Sequence, residues 1–232
     1  MRFKDVFSII GPSMVGPSSS HTAGAVRIGL VASQLLGGVP DQAEIIFFGS
    51  FAATYQGHGT DIAIVSGLLG FATDDYRIPQ ALAIASDRGV AISFEQGKGL
   101  FSHPNTVKLV LSVNQPVPQQ LSLIGTSIGG GNIEIVELNE FAVKLTGNYP
   151  TLVIRHADRP GVIADLTSLL KSESVNIGHM SVDRKGRSGD ALTVLELDAA
   201  LSAPLLDTIR EINHVQTIYT VDLSQTEGTG TS

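Results

Sequence analysis

Residues 16–24 read GPSSSHTAG, so Ser18, Ser19, Ser20, His21 and Thr22 place four hydroxyls and an imidazole directly ahead of an apolar run. A helix N-terminus carries unpaired N–H groups and a partial positive charge, and it receives carboxylate or phosphate. Small hydroxyl residues there let a ligand approach and add donors. His21 falls in the first turn, where the dipole disfavours the imidazolium; a neutral imidazole beside an anion suits a general base or a hydrogen-bond donor. One serine caps a helix, and three serines with a threonine exceed that need.

GHGTD at 57–61 repeats the design, with Gly57 ahead of His58 and with Thr60 and Asp61 at a second helix start. SHPNT at 102–106 offers His103 and Asn105, and SIGGGNIEI offers Gly129, Gly130 and Gly131, whose N–H groups could line a cavity. Each stretch also has a purely structural reading: a capped loop, a turn entering a strand, a flexible hairpin. A serine hydrolase would need a nucleophile elbow, and no GxSxG is present. Adjacent Ser20 and His21 point apart on any regular element, although His58 with one of the serines stays geometrically open. No H-x-x-x-H spacing or carboxylate cluster suggests a metal site, so no metal ligand is expected in this chain. Further along, HADRPGVIADL puts Asp158, Arg159, Pro160 and Gly161 at a turn into a helix. That turn could hold a small acid's carboxylate or be an ordinary βα turn with Pro at the first helical position.

The elements that must hold these residues follow from periodicity. AGAVRIGLVASQLL spaces its apolar residues by three and four and reads as an amphipathic helix, capped by Ser19 or Ser20 and stopped by Gly37–Gly38. AEIIFFGSFA is strand-like. Thr60 or Asp61 caps another apolar helix ending at Gly70, and IPQALAIASDRG reads as a third. VAISFEQG, TVKLVLSVN, QLSLIGTSI, NIEIVELN and FAVKLTG are successive strands. TGNYP then marks a boundary, after which the pattern restarts as βαββαβ, a ferredoxin-like unit. The expected fold is α+β: a mixed helix and antiparallel-sheet domain over 1–148, a βαββαβ domain over 149–223, and a disordered tail over 224–232, with VFSII as a first short element.

The chain's 232 residues are enough for one large or two small domains, and 43% hydrophobic content supports a core. A net charge of −7 with no basic run argues against nucleic acid or an anionic membrane as partner. No apolar run reaches membrane-spanning length, and a cytoplasmic protein is expected. Cysteine is absent, so disulfides, a thiol nucleophile and cysteine-held clusters are excluded from this chain. Any such chemistry must come from another chain.

GPSSSHTAGAVRIG, GSFAATYQGHGTDIAIVSGLL, HPNT and SIGGGNIEI together resemble the β chain of the iron–sulfur-dependent bacterial L-serine dehydratase family, and HADRPGVIADLTSLL with VNIGHMSVDR resembles an ACT domain. The N-terminal part is also similar to the regulatory substrate-binding domain of some phosphoglycerate dehydrogenases. The resemblance implies one subunit of a lyase converting L-serine to pyruvate and ammonium, inactive alone. It implies a partner α subunit whose cysteines hold a [4Fe–4S] cluster. It assigns His58 and His21 to catalysis, and Ser18, Ser19, Ser20, Thr22, Gly57, Thr60, Asp61, His103 and Asn105 to substrate. For Asp158, Arg159, Pro160 and Gly161 it implies effector binding, with L-serine or another small amino acid as ligand and homodimerisation through either domain. A free-standing amino-acid sensor with an ACT domain is the alternative.

Overall fold

The computed structural model describes residues 13–99, 101–114, 117–186 and 189–224. The expected first element at 6–10 and the tail beyond Ser224 lie outside these.

The opening hydroxyl run winds as a π-helical turn, Ser19–Ala23, which continues into helix α1, Gly24–Leu36. Ser18 is the N-cap, in place of Ser19 or Ser20: its Oγ accepts from His21 N at 3.2 Å. Gly37 ends α1 in the left-handed region at φ 87°, as its lack of Cβ permits. Strand β1 (Gln42–Phe48) runs straight into helix α2 (Gly49–His58), and Gly59 at φ 67° separates α2 from α3 (Thr60–Leu68). Gly59 therefore occupies the cap position expected for Thr60 or Asp61. A single 3₁₀ turn, Ile78–Gln80, opens α4 (Ala81–Asp87).

Strands β2 (Ala91–Gln96), β3 (Asn105–Val113), β4 (Gln119–Gly129), β5 (Asn132–Leu138) and β6 (Phe141–Leu145) join β1 in a six-stranded sheet of order β2-β1-β3-β4-β5-β6. All its pairs are antiparallel except β1 with β2, which is parallel because α2, α3 and α4 form a crossover between them. One row of the register runs Phe94, Ile45, Leu109, Leu123, Leu138 and faces the helices.

The second sheet holds β7 (Thr151–Ala157), β8 (Ile177–Arg184), β9 (Asp190–Leu197) and β10 (Val215–Val221), ordered β10-β7-β9-β8. With α5 (Val162–Ser172) and α6 (Ala203–Arg210) it is the βαββαβ unit read from the sequence. Its helices cover Leu152, Ile154, Leu195 and Leu197 on one face. The opposite face sends Val153, Leu192, Val194 and Val221 into the same core as α1.

Helix α1 thus lies between both sheets and α3, and every residue of it but Gln34 is buried. The expected amphipathic helix has no water-facing side. Its crossing with α3 is backbone to backbone: a Cβ on Gly29 would stand 2.3 Å from Ile64 O, and one on Gly67 would stand 2.0 Å from Val26 O. At its C-terminal end Gln34 brackets Asp222, donating from Nε2 to the carbonyl at 3.1 Å and accepting from the amide at 2.7 Å.

Candidate functional site

The site forms where α1, α2 and α3 meet the strand ends beneath them. The π turn packs against α2, α3 and β4. A π turn widens the backbone ring and is common where a helix must reach a ligand. Here it turns His21 inward, against Phe51 at 5.2 Å between ring centroids and against His58 at 4.9 Å. His58 comes from the last turn of α2 and is exposed. The structure therefore brings the two histidines together from two separate motifs.

Ser20 Oγ lies 3.1 Å from His21 Nδ1, and Ser18 Oγ lies 3.3 Å from Ser20 Oγ. This serine pair fixes the ring plane from one side and leaves Nε2 for something else. His21 Nε2 is buried without a hydrogen-bond partner, as are Thr22 Oγ1, Thr60 Oγ1 and Ser127 Oγ. Burial first, and the neighbouring His58 second, lower the pKa of His21 from its ordinary 6.5, so the ring is held neutral.

Ser127 is the residue that sequence reasoning missed. It sits near the end of β4, fully buried, and a Cβ on Gly24 would meet its Oγ at 2.1 Å. Its carbonyl receives Asn105 Nδ2 at 3.4 Å, and Asn105 bridges Gly49 at the start of α2. Pro104 O receives Ser50 N at 2.7 Å, so the HPNT turn is docked onto that helix start. Two signals in the sequence bear on it: it opens SIGGGNIEI, and Gly24 in HTAGA leaves room for its hydroxyl.

Other expected residues stand apart. His103 Nδ1 accepts from Asn105 N at 3.2 Å, and its carbonyl accepts from Thr106 Oγ1 at 2.7 Å, so it shapes its own turn. Asp61 Oδ1 is taken by Ile62 N at 2.9 Å. Gly57 is exposed, with open space where a Cβ would point. Gly129, Gly130 and Gly131 form the β4–β5 turn, which is gripped from beneath: Arg27 of α1 donates to Gly131 O at 3.0 Å.

Asp158, Arg159, Pro160 and Gly161 lie beyond β7 of the second sheet. Asp158 pairs with Arg184, and Arg159 is exposed. Pro160 is not the first helical residue; Gly161, at φ 99°, caps α5. His156 just before them is buried and satisfied: Nδ1 donates to Ala157 O at 2.9 Å, so Nε2 accepts from Thr193 Oγ1 at 2.8 Å.

Among the described residues no group of three or more His, Cys, Asp and Glu side chains could hold a metal ion. With no cysteine in the chain, its residues do not fit a [4Fe–4S] cluster as ligands. No helix of the described residues is long and apolar enough to cross a membrane.

Comparison with known proteins bears on both halves. The family profile described as "Serine dehydratase beta chain" matches residues 3–88, and the "ACT domain" profile matches residues 151–214. The "Probable L-serine dehydratase, beta chain" of Bacillus subtilis (strain 168) is 46% identical over 93% of this chain and 96% of its own length. The "L-serine dehydratase, beta chain" of Peptoniphilus asaccharolyticus is 37% identical over 94% of this chain and 97% of its own. The "D-3-phosphoglycerate dehydrogenase" of Synechocystis sp. is 29% identical over 86% of this chain, which spans only 36% of that relative.

Proposed function

The chain belongs to the L-serine dehydratase beta-chain family, and from that membership we propose that it is the half of a two-chain lyase that presents the π turn and His58 to a cysteine-bearing α subunit. The chain is inactive alone on this reading, and a [4Fe–4S] cluster belongs to the partner. The enzyme works in the cytoplasm, where thiolate ligands stay reduced. The supporting observation is the group of partnerless buried atoms, His21 Nε2, Thr22 Oγ1, Thr60 Oγ1 and Ser127 Oγ. A buried polar atom left unpaired costs about 1–3 kcal/mol, and such atoms on the π turn and on the α3 and β4 elements packed against it suit a guest that satisfies them.

L-serine loses water and goes on to pyruvate and ammonium, which requires a base at Cα and a proton source. The helix start favours the substrate carboxylate, with the hydroxyls of Ser19, Thr22 and Thr60 beside it. Ser20 O–H donates to Nδ1 of the neutral His21, which puts the ring proton on Nε2, facing the guest. His58, exposed and a ring's width away, exchanges its proton with solvent and carries it to or from the reacting carbon. His103 and Asn105 shape the floor through Ser127. On the second sheet, the turn Asp158–Gly161 is the candidate effector site for a small amino acid, and pairing of two copies is assigned to either unit.

A second reading is favoured by one finding. The same region recurs in D-3-phosphoglycerate dehydrogenases, whose named reaction is an oxidation rather than a dehydration. A module shared by two chemistries is suited to sensing a small hydroxy acid. Anaerobic mixing with the cysteine-bearing partner, followed by pyruvate formation from L-serine, separates the readings. His58→Ala that still binds its partner but loses about 10²–10⁴ in rate supports the catalytic role. Activity kept in both His58→Ala and His21→Ala, with altered serine dependence, makes the site a sensor. A mixture that never forms pyruvate overturns the lyase reading and leaves the free-standing amino-acid sensor.

A further inference from the structure

Helix α1 carries a buried arginine one turn past the site. Arg27 is 7% exposed, and its guanidinium donates from one nitrogen to Gly131 O at 3.0 Å. The other terminal nitrogen donates to Gly147 O at 3.0 Å and to Asn148 Oδ1 at 3.1 Å. The arginine thus clamps two separate pieces of backbone: the glycine turn beyond Ser127, and the short strap that leads from the first sheet to the second.

The strap is gripped from the other side as well. Glu196 of β9 is 6% exposed, and its Oε1 accepts from Thr146 N at 2.8 Å and from Thr146 Oγ1 at 2.7 Å. Thr146 Oγ1 accepts in turn from Asn148 N at 3.3 Å. Residues 146–148 are therefore held between two buried ionisable side chains, one from the helix that forms the site and one from the ACT-type sheet. Buried groups of this kind persist where their bonds fix one arrangement of the surrounding elements. A flexible linker would need neither.

We infer that Arg27 and Glu196 are positioning residues of the serine site, and that the strap 146–148 ties the seating of the π turn to the second sheet. The chain of contacts is short. Glu196 holds Thr146, Arg27 holds Gly147 and Asn148, and the same Arg27 holds Gly131. Ser127 pairs with Ile133 across the hairpin that this turn closes. Gly24, one turn before Arg27 on α1, lies against Ser127. Displacing the strap moves the guanidinium, and with it both the glycine turn beyond Ser127 and the helix on which Gly24 meets Ser127.

The inference rests on the proposed serine site, but part of its test does not. Amide hydrogen exchange is measured on the whole chain for wild type, Glu196→Ala, Glu196→Gln and Thr146→Val. The glutamine carbonyl accepts the same two bonds, so Glu196→Gln should exchange as wild type does. Glu196→Ala, and more mildly Thr146→Val, should speed exchange at 146–148, at the turn 129–132 and at the π turn 19–24. Faster exchange confined to 146–150 and β9, or Glu196→Gln behaving as Glu196→Ala, overturns the inference. In the enzyme assembled with its partner, Glu196→Ala should raise the KM for L-serine about 2- to 30-fold while kcat holds within about twofold. An unchanged KM with the exchange pattern present would overturn the link to serine and leave the mechanical tie standing. If the assembled wild type makes no pyruvate, the proposed function fails, and the exchange arm still decides the tie.

Discussion

At the scale of single residues, the His21 pair is the most testable feature. Burial and His58 lower the pKa of His21 in the fold. The unfolded chain, with its imidazole near about 6.5, therefore takes up the proton first as pH falls. The stability associated with a neutral His21 is fully present above that value and is lost below it, as pH falls through the folded value. Urea unfolding between about pH 7.5 and pH 5.5 should show wild type losing stability faster than His21→Gln. Equal slopes would remove His21 as a buried neutral ring. The sequence announced the histidines and serines by their crowding, but in SIGGGNIEI the glycines drew the reading and Ser127 at its head did not. A lone serine in a strand reads as ordinary alternation, and only the approach of Gly24 shows that its hydroxyl is walled in. Arg27 was equally silent: a single charge in an apolar helix reads as the side facing water, and here it is the clamp.

At the scale of elements, periodicity and the clustering of β-branched residues served for long apolar segments bounded by glycine or polar turns. It located the five strands after residue 90 and all six elements of the second sheet. It missed α2, whose GSFAATYQGH has glycines near both ends and no apolar stripe, so that strand β1 read as running on. Tertiary docking holds this helix: Ser50 N to Pro104 O at its start, Phe51 in the core and His58 toward the site at its end. The α1–α3 crossing yields a sharper prediction. Gly29→Ala would put a methyl carbon 2.3 Å from Ile64 O, a backbone atom that cannot swing aside. Overpacking of this kind costs about 1–3 kcal/mol or more, visible as a lower midpoint in chemical denaturation. Because α1 and α3 both border the site, Gly29→Ala should also weaken serine dependence. A variant as stable as wild type would mean that the helices are not in backbone contact.

At the scale of the whole molecule, two sheets share one helix. The second sheet's inner face, with Val153, Leu192, Val194 and Val221, joins the core built around α1. Removing it exposes apolar side chains that no other layer covers. A chain ending at residue 149 should therefore aggregate or unfold, and the full chain should unfold in one transition by circular dichroism and by calorimetry. Two separated transitions would mean that the two halves unfold as independent units despite the shared core. The burial of α1 on every side also sets a timetable for biogenesis. The helix is synthesised well ahead of its second cover, which is complete only when Val221, the last residue of β10, has been made. Until then a largely apolar helix has one flank open. Non-local pairing of this kind folds slowly and exposes the chain to association. The strand that carries Val221 thus closes the core over a helix made long before it.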